Sequence, residues 1–151
     1  SYSLYSTKHR SQEKKLDEFV SARINDGIYQ CLLSETPPKK KVAERNFTKA
    51  MYKLDSILED QKYLVGNIPT VPDWKFFVTL VRFDLVYSKL FLTNGYLLED
   101  FKNIPSYLKR LLNYDQISRT INFHEMVRGY YRTLGKTENF EEIINFMDRM
   151  N

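Results

Sequence analysis

The chain has 151 residues, of which 42% are hydrophobic and 15% aromatic, which is enough for one domain with a buried core. Its net charge of +4 is mildly basic and does not by itself indicate a nucleic-acid partner, and its single cysteine, Cys31, excludes an internal disulfide. No apolar run reaches the roughly 18 residues that a membrane span needs, and no signal peptide is visible. The chain does not begin with methionine, so we expect a fragment of a longer protein.

The N-terminal half predicts two helices. Residues 1–11 are polar and are interpreted as a linker or disordered arm. Apolar residues recur at three-to-four spacing over about 12–33, which predicts a first helix with a bend or break at Asn25-Asp26-Gly27. Pro37 and Pro38 are expected to separate it from a second amphipathic helix over about 40–61.

A central helix is predicted over about 72–93. Thr70 fits its N-cap, and Asp73 stands three residues later, as in a capping box with Asp in place of Glu. Pro72 is tolerated in the first turn. The helix carries apolar residues on every face, which is typical of a helix in the centre of a bundle.

Shorter helices are predicted towards the C-terminus, over about 105–113, within 115–133 and over about 141–150. No strand pattern competes with them. The predicted fold class is therefore all-α, a helical bundle around one central buried helix.

No catalytic constellation is present in the sequence. Cys31 lies on the apolar side of a helix, which favours packing over a nucleophilic role. His9 and His124 lie far apart without metal-ligand spacing, so no metal site is predicted. The lysines at 39–41, with Lys14 and Lys15, could contact nucleic acid, but three lysines after two prolines are more often a solvated loop.

Arg82 and Asp84 are charged residues in the middle of the apolar central helix. Residues two apart on a helix do not face each other, so each needs its own partner. We favour structural pairing that ties this helix to its neighbours over a direct role in substrate binding. The tyrosines at 29, 87, 130 and 131 adjoin apolar stripes, where a hydroxyl can hold an oxygen-bearing ligand or complete the core edge.

The order of these signals resembles the C-terminal helical domain of glutathione S-transferases. In that family a Gly and a Ser/Thr-x-x-Asp box open the central helix, and here they are Gly66 and Thr70-Val71-Pro72-Asp73. The resemblance is strongest to the omega-like glutathionyl-hydroquinone reductases, the Xi class. It rests on segments spread over residues 24–137: Asn25-Asp26-Gly27-Ile28-Tyr29, Thr79-Leu80-Val81-Arg82-Phe83-Asp84-Leu85-Val86-Tyr87, Thr120-Ile121-Asn122-Phe123 and Tyr130-Tyr131.

The resemblance implies an enzyme that removes glutathione from glutathionyl-hydroquinones with a cysteine of a thioredoxin-like N-terminal domain. That domain, which would bind most of the glutathione, is absent from this chain, so no catalytic residue is expected here. Tyr29 and Tyr130 would contact the oxygens of an aromatic, quinone-like substrate, whereas Thr70, Asp73, Arg82 and Asp84 would be structural. The resemblance also implies a homodimer formed through this domain, in the cytoplasm, or in an organelle if a leader precedes the fragment, with no membrane or nucleic-acid partner.

The chain departs from the family pattern at three places. Gly129 stands where the family has His before the tyrosine pair, and Leu92 stands where it has Lys. The family's tail is replaced by residues 138–151, which are interpreted as an additional amphipathic helix after a domain spanning 12–137. These departures motivate an alternative, a non-catalytic protein–protein interaction module like those in translation-associated assemblies.

Overall fold

A computed structural model of the protein describes residues 7–114 together with residues 125, 128, 129 and 132. Within these residues the regular structure is helical, as predicted, and the only β-type contact is a single bridge between Tyr63 and Gly66. The elements in chain order are α1 (Thr7–Phe19), a first π-helical turn (Val20–Asn25), α2 (Asp26–Leu33), α3 (Pro37–Ile57), α4 (Val71–Arg82), a second π-helical turn (Phe83–Tyr87), α5 (Ser88–Leu90), a 3-10 turn (Leu98–Asp100) and α6 (Ile104–Leu112).

The first helical run begins at Thr7, inside the segment interpreted as an arm, and continues to Leu33. Its first turns lie beside the loop before the central helix, because the imidazole of His9 approaches within 3.9 Å of the position that a Cβ would occupy on Gly66. This proximity between the polar segment and the loop is not apparent from the sequence. The helix therefore begins before residue 12, where the apolar pattern starts. The boundary between arm and domain stays a prediction.

The helix does not break at Asn25-Asp26-Gly27, because it continues there from a π-helical turn that ends at Asn25 into α2. Tertiary contacts outweigh the weak helix propensity of this segment. The Asn25 side-chain amide donates to the Lys75 carbonyl at 2.9 Å and to the Thr79 hydroxyl at 2.8 Å. Gly27 is buried where a Cβ would lie 3.6 Å from the Phe47 ring, so the small residue permits close packing of α2 on α3.

Helix α3 begins at Pro37, three residues before the predicted start, and the two prolines open it rather than separate it from its predecessor. The Thr36 hydroxyl accepts a hydrogen bond from the Lys39 N–H at 3.4 Å and acts as the N-cap. Proline lacks only an N–H that the first turn leaves unpaired, so it is tolerated there. The helix ends at Ile57, before the predicted Gln61.

The central helix runs as α4, the second π-helical turn and α5, and it ends at Leu90 rather than at Thr93. Its core-facing side chains include Phe76, Leu80 and Phe83, which are almost fully buried. One face reaches solvent, since Val78 is 48% exposed. The helix is thus central but not buried on every side.

Asp73 is a fully buried carboxylate at the start of the central helix. One oxygen accepts hydrogen bonds from the Thr70 N–H at 2.8 Å and the Thr70 hydroxyl at 3.2 Å. The other accepts from the Leu64 N–H at 2.9 Å and the Tyr107 hydroxyl at 2.6 Å. The preceding loop turns at Gly66, whose φ of 97° lies in the left-handed region that glycine adopts without strain. Asp73 therefore joins the loop, α4 and α6.

Helix α6 spans Ile104–Leu112, close to the predicted 105–113. Glu125, Arg128, Gly129 and Arg132 are helical, within the region predicted to hold one or two short helices. The predictions that concern His124, Tyr130, Tyr131 and residues 138–151 lie outside the described residues.

Candidate functional site

Three aromatic side chains form a cluster where α2 packs against the end of the central helix. Tyr29 is 39% exposed, whereas Tyr87 and Phe91 are buried. The Tyr29 ring meets the Tyr87 ring at 5.9 Å and the Phe91 ring at 5.5 Å between centroids, both edge to face, and the Tyr87 and Phe91 rings lie 4.9 Å apart. The Tyr29 and Tyr87 hydroxyl oxygens are 3.3 Å apart, within hydrogen-bonding distance. The cluster thus offers a partly exposed phenol on an apolar base.

The two π-helical turns place this cluster. The first ends four residues before Tyr29, and the second ends at Tyr87 itself. π-helical turns inside α-helices occur frequently at functional sites, because the extra residue re-aims neighbouring side chains. The weak helix propensity of Asn25-Asp26-Gly27 marks the end of the first turn in the sequence, whereas Phe83–Tyr87 fit a regular helix equally well and give no sign of the second.

Lys40 fixes the ends of the two helices that carry the cluster. Its ammonium group donates to the Cys31 carbonyl on α2 at 2.9 Å and to the Phe91 carbonyl after α5 at 2.7 Å. A cation at a helix C-terminus satisfies unpaired carbonyls and interacts favourably with the helix dipole. The sequence showed Lys40 only as one of three consecutive lysines, so its role at the base of the cluster could not be recognised there.

Arg82 and Asp84 were expected to pair with neighbouring elements, and only Asp84 does so among the described residues. Asp84 accepts a hydrogen bond from the Leu98 N–H at 2.9 Å and so ties the central helix to the 3-10 turn. Burial raises the pKa of the Asp84 carboxyl, and this hydrogen bond opposes the shift. Arg82 donates to the Val78 carbonyl of its own helix at 2.6 Å. Among the described residues it makes no hydrogen bond or ion pair to a neighbouring helix, so the proposed bracing role has contacts to support it only at Asp84.

The remaining predicted site residues fall into two groups. Thr70 and Asp73 lie at the base of the central helix, where their side chains are engaged with each other and with α6. Tyr130 lies outside the described residues, so the proposed pair of substrate-contacting tyrosines is represented by Tyr29 alone. No group of three metal-ligating side chains occurs in the part of the chain that the structure describes. Among the same residues, no helix is long and apolar enough to cross a bilayer.

Cys31 is fully buried, and burial raises the pKa of its thiol to about 11. The Glu44 carboxylate adds to this increase, and the thiol donates to the Gly27 carbonyl at 3.4 Å.

Since the thiolate is the reactive form of cysteine, we expect Ellman's reagent at pH 8 to label Cys31 in the native chain only as fast as the chain opens. In the urea-unfolded chain, labelling should be immediate. A native labelling rate equal to that of the unfolded chain would show an accessible thiolate instead.

Known proteins similar to this chain are longer, and they match it over most of its length. No family model matches the chain. It is 29% identical over 136 residues to the glutathionyl-hydroquinone reductase YqjG of Escherichia coli, a match that covers 88% of this chain and 41% of the relative.

Two solved structures share both sequence and fold with the chain. A Xi-class glutathione transferase of Natrialba magadii superposes with a TM-score of 0.79 at 29% identity, covering 85% of this chain and 39% of that one. A glutathione transferase Xi of Phanerochaete chrysosporium gives 0.78 at 28% identity, covering 85% and 44%. The chain spans less than half of each relative and matches its C-terminal portion, so the thioredoxin-like half is absent from it. The chain resembles the C-terminal helical domain of glutathione S-transferases of the Xi type.

Proposed function

We propose that this chain, similar over most of its length to the C-terminal helical domain of Xi-class glutathione transferases, forms the hydrophobic substrate side of a glutathionyl-hydroquinone reductase. In the longer protein, a thioredoxin-like half would supply the thiolate that removes glutathione from the substrate. The helical domain would hold the aromatic ring. The relatives in the comparisons are transferases and reductases, and none of them favours the alternative of an interaction module.

The observation that carries this proposal is the partly exposed Tyr29 side chain, which packs edge to face against the buried rings of Tyr87 and Phe91. A flat ring can pack against aromatic edges, while a phenol hydroxyl donates to or accepts from an oxygen substituent of that ring. The contact with the Tyr87 hydroxyl restrains the Tyr29 side chain before a ligand arrives. Tyr130 remains the second proposed contact to the quinone oxygens, by resemblance.

The described members of the cluster do not fit the peptide part of glutathione. Glutathione carries two carboxylates and an ammonium group, which require charged or multiple hydrogen-bonding partners. The cluster presents three rings and two hydroxyls. We therefore assign most of the tripeptide binding to the thioredoxin-like half, and the hydroquinone ring to this cluster. Dimerisation through this domain and a cytoplasmic location are further parts of the proposal.

Replacement of Tyr29 by phenylalanine tests the hydroxyl. In the full-length protein we expect Tyr29→Phe to lower kcat/KM for a glutathionyl-hydroquinone about five- to tenfold, because one hydrogen bond to the substrate oxygen is lost while the ring stays. In the 151-residue chain, the same variant should weaken binding of methylhydroquinone, measured by nuclear magnetic resonance titration, by a similar factor.

The matched control is Tyr114→Phe. Tyr114 is exposed and packs on Trp74 near the opposite end of the central helix, so both measurements should stay within twofold of the wild type. An unchanged kcat/KM in Tyr29→Phe, with the variant folded, would remove Tyr29 from the site. A full-length protein that retains its N-terminal cysteine but shows no glutathione-dependent reduction would contradict the proposed function as a whole.

A further inference from the structure

A second concave surface lies on the other side of Lys40, between the first half of α3 and the turn at 93–96. Lys40, Glu44 and Thr48, spaced four apart on α3, form the floor of this surface. The Lys40 ammonium donates to the Phe91 carbonyl at 2.7 Å, the Glu44 carboxylate accepts from the Thr93 N–H, and the Thr48 and Tyr96 hydroxyls are 2.8 Å apart. This polar seam holds the turn against the helix, so the surface is preformed.

Cations line the next row of the same helix. Lys41, Arg45 and Lys49 are exposed, border the cleft and are spaced four apart, which places them on one face of α3. None of the three forms an ion pair within residues 7–114 or with the few described residues beyond them. The acidic residues of the lining are Glu35 and Glu44, which offset two of its four cations, the three above and Lys40. The lining therefore keeps an excess of two positive charges.

An aromatic ring closes the far end. Tyr52 is 53% exposed, one helical turn beyond Thr48, and its ring rests on Phe101 with 4.9 Å between centroids. Phe101 is buried and also contacts Tyr96 at 5.7 Å, so Tyr52 has a firm support. An exposed ring beside a row of cations is suited to a ligand that both stacks and carries negative charge.

From these features we propose that the cleft binds a small aromatic molecule carrying two or more negative charges, with Lys41, Arg45 and Lys49 on the charges and Tyr52 on the ring. The cleft is open to solvent on one side and has a volume of about 920 Å³, which is within the range of small-molecule sites. A lysine row on a helix is usually only a solvated face, but here it borders a cavity with an aromatic end. None of Tyr29, Tyr87 and Phe91 lines this cleft, so the proposal is independent of the proposed function.

The test uses pyranine, a fluorescent pyrene with three sulfonate groups, and measures its anisotropy on titration with the 151-residue chain. The triple variant Lys41→Ala/Arg45→Ala/Lys49→Ala should bind pyranine about tenfold more weakly, since three charge interactions are lost. The control Lys14→Ala/Lys15→Ala/Lys109→Ala removes the same charge from exposed positions outside the cleft and should change binding by less than twofold.

Tyr52→Leu separates the aromatic part from the charged part. We expect this variant to raise the dissociation constant of pyranine about threefold or more. The dissociation constant of tripolyphosphate, obtained from displacement of the dye, should stay unchanged because tripolyphosphate has no ring to stack. Equal weakening by both triple variants would overturn the proposal in favour of non-specific attraction to net charge. Dissociation constants above about 1 mM for the wild type, or displacement by a single-stranded oligonucleotide far below the concentration at which tripolyphosphate acts, would also overturn it.

Discussion

Replacement of Asp73 by alanine is expected to lower the free energy of unfolding by about 3–5 kcal/mol, because it removes a buried carboxylate and leaves its partners unpaired. Four hydrogen bonds converge on the two oxygens, from the Thr70 N–H and hydroxyl, the Leu64 N–H and the Tyr107 hydroxyl. Two of the donors are backbone groups of the loop and helix start, so no side-chain rearrangement can satisfy them. Urea unfolding followed by far-UV circular dichroism measures the change.

Asp60→Ala is the control for this loss. Asp60 is exposed at the end of the segment after α3, and its replacement should change stability by less than about 0.5 kcal/mol. A double-mutant cycle with Tyr107→Phe adds a sharper readout. Burial, followed by the Asp73 charge, raises the pKa of Tyr107 well above its usual value, so this phenol stays a donor over the whole accessible pH range. Additive losses in the cycle would show that the two side chains do not interact.

Replacement of Asp55 by alanine should cost about 2–4 kcal/mol. The Asp55 carboxylate is buried near the end of α3 and accepts from the backbone N–H groups of Asn103 at 2.8 Å and Ile104 at 2.9 Å. These groups open α6, so a negative charge there satisfies unpaired donors and favours the helix dipole. The same unfolding experiment measures the loss.

The variant Asp55→Asn keeps an acceptor but removes the charge, so we expect roughly half of the loss seen in Asp55→Ala. Proteolysis provides a second measurement, because α6 should become the first site of cleavage if its start is no longer held. Equal stability of Asp55→Ala and the wild type would mean that water replaces the carboxylate at both N–H groups.

The helical class could be predicted because periodicity and capping are local properties of the chain. Thr70 and Asp73 lie three residues apart, so their pairing is readable from the sequence. The Tyr107 hydroxyl comes from 34 residues away, and no pattern within a window of helical length can show that it meets the same carboxylate. The passage of the helix through Asn25 likewise involves hydrogen bonds to residues about 50 positions away in the chain.

The candidate site was only partly within reach of the sequence. Tyr29 could be proposed from the resemblance, but its hydrogen-bonding distance to Tyr87 depends on how α2 and the central helix pack. The proposed anion cleft was missed because Lys41, Arg45 and Lys49 are spread over a long helix as ordinary surface charges. They border a cleft only because the turn at 93–96 lies against one side of that helix.

The two π-helical turns have a consequence for how this domain tolerates insertions and deletions. A π-helical turn accommodates one residue more than an α-helical turn does, while the helices on either side keep their alignment. Loss of one residue within Phe83–Tyr87 can thus be absorbed by a return to the α-helical hydrogen-bond pattern. The same deletion within α4 would rotate every following side chain by about 100° and separate Tyr87 from Tyr29. Single-residue length differences among related domains are therefore expected to concentrate at these turns, on both sides of the aromatic cluster.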